Sequence, residues 1–187
     1  MVNTVFRMIT LLLAVSVASS CGGPSPAKTT SNDSAHVAAV GASAGYAQVM
    51  SSSTIDGKAV QEDDRPVAMV FFASWCGHCR NELAQLDQLR TRYPQLRIIG
   101  LNAYEEFREF SDQQRLRTYV AENAPWLTEI VTANEDMRTT FGSVPRIPSL
   151  FLYNNRGTVI AEFRRDKGPP PSTEQLEEAI ARAVASD

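Results

Sequence analysis

The chain is poor in metal-binding side chains, with three cysteines and two histidines among its 187 residues. Two of the cysteines, Cys76 and Cys79, form a CxxC pair, and the absence of a second ligand pair argues against a closed zinc site. Excess positive charge is also missing. Lys and Arg number 18 against 21 Asp and Glu, a formal charge of −3, so no basic stripe exists to follow a nucleic acid backbone. No apolar run reaches the ~20 residues that cross a bilayer. Neither internal repeats nor a second domain's worth of elements is present. The composition is 43% hydrophobic, enough for one proper core, so the expectation is one domain plus appendages.

The N-terminus reads as a processing signal. Arg7 is its only charged side chain, an apolar run extends from Met8 to Val17, and small residues lead to a cysteine in "VASSC", Val17 to Cys21. A short apolar run closed by small residues implies export. The ending resembles the lipobox of bacterial lipoproteins, with Ala18 where that motif usually has Leu. The resemblance implies a signal peptide over residues 1–20 and a lipid on Cys21, which places the protein in the cell envelope, on the periplasmic side of a membrane. Residues 22–45, "GGPSPAKTTSNDSAHVAAVGASAG", are small and polar. They have little surface to bury against the entropy of ordering, so residues 21–45 are expected to be a flexible tether, with His36 a solvated member of it.

Order is expected from Tyr46, giving a domain over residues 46–187. Asp56-Gly57 in "TIDGKAV" signals a hairpin, because that pair tolerates positive φ. "PVAMVFFA", Pro66 to Ala73, is an uninterrupted apolar run of strand length, as a central strand buried on both faces requires. After the cysteine pair, Leu83, Leu86 and Leu89 recur at helical spacing until Pro94. "LRIIGLN", Leu96 to Asn102, is a second buried strand, so strand, CxxC turn, helix and strand make a βαβ unit. A mostly polar helical segment follows over Glu105 to Asn123, with Phe107, Phe110, Tyr119 and Val120 on its apolar side. A short strand (Leu127 to Val131), a short helix (Asn134 to Gly142), a hairpin around "NNRG" and a last helix complete the pattern. Ser172 and Gln175 stand at capping-box spacing before that helix.

The cysteine pair admits three chemistries: a redox centre, half of a metal site, or a structural staple. Position favours the first. A cysteine where a helix begins faces unpaired backbone N–H groups, which stabilise thiolate over thiol. Two intervening residues let the sulfurs meet across one turn. Cys76, at the exposed edge, is then the attacking thiolate, and Cys79, one turn in, resolves the mixed disulfide. Trp75 supplies an apolar wall, and His78 favours thiolate when protonated.

"WCGHC", Trp75 to Cys79, is the active-site sequence seen in protein disulfide isomerases, and the stretch from Tyr46 to Ser186 resembles thioredoxin-fold proteins. It looks most like their exported TlpA and ResA-like group. Glu82 stands three residues after Cys79, as in that group's CxxCxxE pattern. "VPRIPS", Val144 to Ser149, falls where the family has its cis-proline loop, and the "YNNRG" hairpin sits at the expected place. The resemblance implies an α/β thioredoxin-like fold, a central mixed sheet flanked by helices, with a helical insertion after the second central strand. It implies catalytic Cys76, Cys79 and Glu82, and substrate contacts through Trp75, Gly77, His78, Ile147 and the cis residue Pro148. No cofactor or metal is expected, since the pair carries two electrons.

The departures are specific. Val70 stands where thioredoxin has a buried Asp, which shifts the role of proton acceptor to Glu82, unless Glu82 is only a solvated first-turn carboxylate. Ala84 replaces a helix-kinking proline. Arg146 replaces the glycine two residues before the cis-proline. The expected activity is thiol:disulfide exchange with exported proteins bearing thiols or disulfides, the pair being recharged by a membrane electron donor or acceptor. Gly-His between the cysteines resembles oxidising or isomerising enzymes, whereas the TlpA and ResA likeness implies reduction of particular partners such as apocytochrome c. A metal-binding or chaperone-like lipoprotein that uses the fold without turnover is the alternative from another class.

Overall fold

The computed structural model describes residues 32–105 and 113–186, with side chains from residue 41 onward. Residues 1–20, Cys21, and Phe107 and Phe110 of the insertion lie outside that set. Five strands form one sheet in the order β3-β2-β1-β4-β5. β1 (Val67–Phe72) is central. It runs parallel to β2 (Arg97–Asn102), with Val67 opposite Arg97 and Phe72 opposite Asn102. It runs antiparallel to β4 (Ser149–Tyr153), with Phe71 opposite Ser149. β3 (Ile130–Thr132) extends the parallel side and β5 (Val159–Arg164) the antiparallel side. The sheet is thus mixed and thioredoxin-like, as expected.

Alternation along β1 divides the core. Ala68, Val70 and Phe72 enter one buried cluster, together with Leu83, Leu86 and Leu89 of α2 (Gly77–Arg92), Leu116 and Tyr119 of α3 (Gln113–Asn123), and Leu176 and Ile180 of α5 (Thr173–Ala185). Val67, Met69 and Phe71 enter the other, with Ala42 and Val49 of α1 (Asn32–Met50) and Met137 of α4 (Glu135–Thr140). A strand whose side chains are apolar at both parities can stay central only if helices cover both faces, and they do. α3 is the helical insertion after β2. The capping box before α5 is formed: Ser172 Oγ accepts from the Gln175 N–H, and the Gln175 side chain accepts from the Ser172 N–H at 2.9 Å.

Two expectations are corrected. The Asp56-Gly57 turn forms, with Gly57 at φ 76° and its N–H on the Thr54 carbonyl at 2.8 Å. It closes the isolated Ser53–Ala59 bridge rather than joining full strands, and Thr54 bridges separately to Val131 of β3. The larger difference lies at the start of order. The sequence predicts a tether to Gly45 and structure from Tyr46, yet α1 begins at Asn32 and its small residues are contact surface. Ala42 is fully buried, and the Tyr153 hydroxyl donates to its carbonyl at 2.8 Å. A Cβ added to Gly45 would lie 2.4 Å from the Phe141 ring. Composition failed here because the helix packs through close backbone approach rather than through large side chains.

That approach generates a stability prediction. Gly45→Ala would gain up to about 1 kcal/mol of helix propensity. The added methyl must displace Phe141, which is 1% exposed and packed edge-on against Phe71 and Phe151 at 5.0 and 4.9 Å. Overpacking costs about 1–3 kcal/mol, so the variant should be the less stable in urea denaturation. A gain in stability would show that α1 does not hold this position in solution.

Candidate active site

β1 ends at Phe72, and a tight turn carries the chain through Ser74 and Trp75 to Cys76, the N-cap of α2. Cys76 has extended backbone (φ −87°, ψ 104°), and its sulfur, rather than the usual Ser or Asp oxygen, accepts the Cys79 N–H at 3.2 Å. The first N–H groups of a helix have no intrahelical partner, so Sγ of Cys76 sits where partial positive charge concentrates and thiolate is stabilised. Cys76 and Cys79 form a disulfide with Cα atoms 5.3 Å apart. Cys76 keeps 7% exposure and Cys79 none.

The turn is clamped by the end of β2. One carboxylate oxygen of Glu105 accepts the Ser74 N–H at 2.7 Å and the Asn102 amide at 2.8 Å, and the other accepts the Ser74 hydroxyl at 3.0 Å. Trp75 donates its indole N–H to the Tyr104 carbonyl at 2.9 Å. Tyr104 itself has φ 62°, unusual for an aromatic residue, and its hydroxyl donates to the Val144 carbonyl. Two short segments, 73–76 and 102–105, are thereby locked together, and Tyr104 ties both to the loop before β4. In that loop the Ile147–Pro148 peptide bond is cis.

A groove of about 550 Å³ opens beside Cys76, lined by Trp75, Gly77, His78, Tyr104, Pro145, Arg146, Ile147 and Arg165. It brings together Cys76 and four of the five predicted substrate contacts. Pro148 is buried and does not line it. Gly77 is exposed, and a Cβ there would meet nothing within 4 Å. Tyr104, Glu105 and Arg165 were not picked out from sequence. For Tyr104 and Glu105 the usable signal was topological: chain segments leaving the C-terminal ends of adjacent parallel strands converge at one edge.

Glu82 lies one helical turn beyond Cys79. The solvated first-turn reading is corrected, since the residue is 4% exposed and its Oε1 has no hydrogen-bond partner. Burial raises its pKa from 4.5 to about 7, against a smaller opposing pull from Arg165. Among the described residues no three His, Cys, Asp or Glu side chains converge on a cation position.

A thioredoxin-type sheet, a cis-proline loop and a CxxC disulfide capping the N-terminus of the helix after β1 together define a thiol:disulfide oxidoreductase of thioredoxin type. The Thioredoxin family model matches residues 49–119. Among solved structures, MTB DsbF, in mixed oxidized and reduced forms, is 18% identical with a TM-score of 0.59, over 73% of this chain and 97% of that one. A secreted Mycobacterium tuberculosis disulfide oxidoreductase homologous to E. coli DsbE is 18% identical with a TM-score of 0.55, over 70% and 93%. StoA from Bacillus subtilis is 23% identical with a TM-score of 0.51, over 68% and 92%. No curated protein matches the chain.

Glu82 yields a pH prediction. Its pKa is raised in the folded oxidised protein, so its stabilising contribution is complete below about 4.5 and is lost as pH rises toward 7. Across that window the loss amounts to roughly 3 kcal/mol. Oxidised Glu82→Gln, which cannot ionise, should match the parent near pH 4 and exceed its stability at pH 8 in denaturant titrations. A stability difference independent of pH would refute this account of Glu82.

Proposed function

We propose that the protein is an exported, lipid-anchored enzyme that exchanges disulfides with partner proteins, with Cys76 as nucleophile, Cys79 as resolving thiol and Glu82 as the proton carrier for Cys79. The observation that carries this reading is the asymmetry of the pair: Cys76 borders an open groove, while Cys79 is fully buried on a face shared with Glu82. Access and helix position select Cys76 for intermolecular attack.

In the reducing direction, the Cys76 thiolate attacks a partner disulfide and expels one partner sulfur as thiolate. Glu82 takes the proton of Cys79, which attacks Cys76 Sγ. The second partner sulfur leaves, the Cys76–Cys79 disulfide forms, and two electrons have passed to the partner. In the opposite direction a partner thiolate attacks Cys76, and the departing Cys79 sulfur takes a proton from Glu82. A group titrating near 7 suits both roles at neutral pH.

Reduction of particular partners, for example apocytochrome c, is the direction favoured by Glu82, which disfavours a nearby thiolate when ionised and so opposes accumulation of the reduced pair. Oxidation or isomerisation of exported proteins is the reading that Gly77-His78 favours. The pair needs no further cofactor, and a membrane donor or acceptor restores it. Export and anchoring rest on the segment ending at Cys21, whose lipid would hold the domain at the membrane through residues 22–31 and α1.

Two experiments test the reading. Cys79→Ser removes the internal resolving route, so a covalent complex through Cys76 should accumulate in cells as a heavier, reductant-sensitive band. Trapping through Cys79 in Cys76→Ser, with none in Cys79→Ser, would reverse the assignment. Cytochrome assembly proteins in the band would place the enzyme on the reducing side, and diverse cysteine-rich exported proteins on the oxidising side. For the anchor, Cys21→Ser should move the protein from the membrane to the soluble fraction, because each buried acyl CH₂ contributes about 0.8 kcal/mol. Unchanged fractionation would remove the lipid.

A further inference from the structure

Six arginines of this chain are held by carboxylates. Arg65, Arg90, Arg92 and Arg117 are paired with carboxylates on the surface, and Arg97 and Arg164 are buried against carboxylates and backbone carbonyls. Arg146 and Arg165 make no ion pair with any described residue, and both line the groove beside Cys76. Arg146 is exposed, and among the described residues its guanidinium makes no hydrogen bond while that of Arg165 reaches the Gly168 carbonyl at 3.5 Å. Among the described residues no carboxylate lines this groove, although the chain as a whole carries −3. Local sign thus opposes global sign at the one place where a partner meets the disulfide.

The two cations are placed by the fold. Ser149, fully buried at the start of β4, donates its hydroxyl to the Arg146 carbonyl at 2.8 Å and accepts the Arg165 N–H at 3.3 Å. One hydroxyl therefore ties together the backbones that carry both guanidinium groups. The remaining walls next to Cys76 are the half-buried aromatic and aliphatic surfaces of Trp75, Tyr104 and Ile147.

We propose that this groove selects protein partners whose reactive cysteine lies in an extended segment flanked by Asp or Glu, the carboxylates being received by Arg146 and Arg165. This substrate class deepens the exchange activity proposed above and rests on it. Guanidinium groups bind carboxylates in a planar two-point geometry. At an exposed rim such pairs are screened by salt and act mainly by raising the rate of productive encounter.

The test uses the reduced full chain and three peptides containing the same disulfide, flanked by acidic, neutral or basic residues. Rates of protein oxidation are measured at low and high ionic strength. Each rate is divided by that of the same peptide with dithiothreitol, which removes the influence of flanking charge on the peptide sulfur itself. The acidic peptide should react about ten-fold faster than the basic one at low salt, and the ratio should shrink toward one at about 0.5 M salt. Charge reversal through Arg146→Glu together with Arg165→Glu should invert the order of the two charged peptides. The salt dependence of the unaltered chain decides the matter even if that variant does not fold. Equal normalised rates for acidic and basic peptides, with the neutral peptide still reacting, overturn the charge selection alone. Failure of all three peptides overturns the exchange activity, and the selection with it.

Discussion

β1 is buried on every residue, between strands on both edges and helices on both faces, and the active-site geometry follows from that position. A strand so enclosed has no freedom to slip, since a shift by one residue would exchange the contents of two core clusters. Its end is therefore a fixed point. The Ser74 to Cys76 turn starts there, and the parallel neighbour β2 delivers Tyr104 and Glu105 to the same edge. The antiparallel neighbour β4 begins at Ser149, opposite Phe71, and so brings the Arg146 to Pro148 loop alongside. Sulfur, clamp and groove come from three segments that touch only because one strand is central.

Charge around the disulfide is arranged in opposition. The N-terminus of α2 favours a thiolate on Cys76 by a modest amount, roughly 0.3–1 kcal/mol for a charge at a helix end. Glu82, buried beyond Cys79 with an unpartnered oxygen, acts the other way whenever it is ionised. Arg165 connects the two regions, lining the groove outside and drawing the Glu82 pKa down from within.

The parts of this architecture that are local in sequence were legible in it. The apolar run of β1, the leucine spacing of α2, the capping box of α5, the CxxC pair and the "VPRIPS" loop each announce themselves within a few residues. What stayed hidden depends on distant partners. Glu105 matters because Ser74, 31 residues away, presents two donors to it, and Tyr104 because tertiary contacts hold its backbone at positive φ. The small-residue stretch of α1 carries little hydrophobic signal. It packs because Gly41 and Gly45 leave room for Gly142 and Phe141, which no reading of that stretch alone reveals.

A buried carboxylate lacking a partner is a cost the fold must sustain. At alkaline pH the cost of Glu82 is roughly 3 kcal/mol, a sizeable share of the about 5–15 kcal/mol that holds a domain together. It is tolerated because the surrounding elements are over-determined. Leu83 and Leu86, the next buried residues of α2, are 1% and 0% exposed in the core shared by β1, α3 and α5, so the helix cannot turn to bring Glu82 to water. The packing that anchors α2 thus also keeps the acid confined one helical turn beyond Cys79. A protein selected for stability alone would replace that acid, so folding does not account for its position in the core, which fits the proton-carrying role proposed above for Glu82.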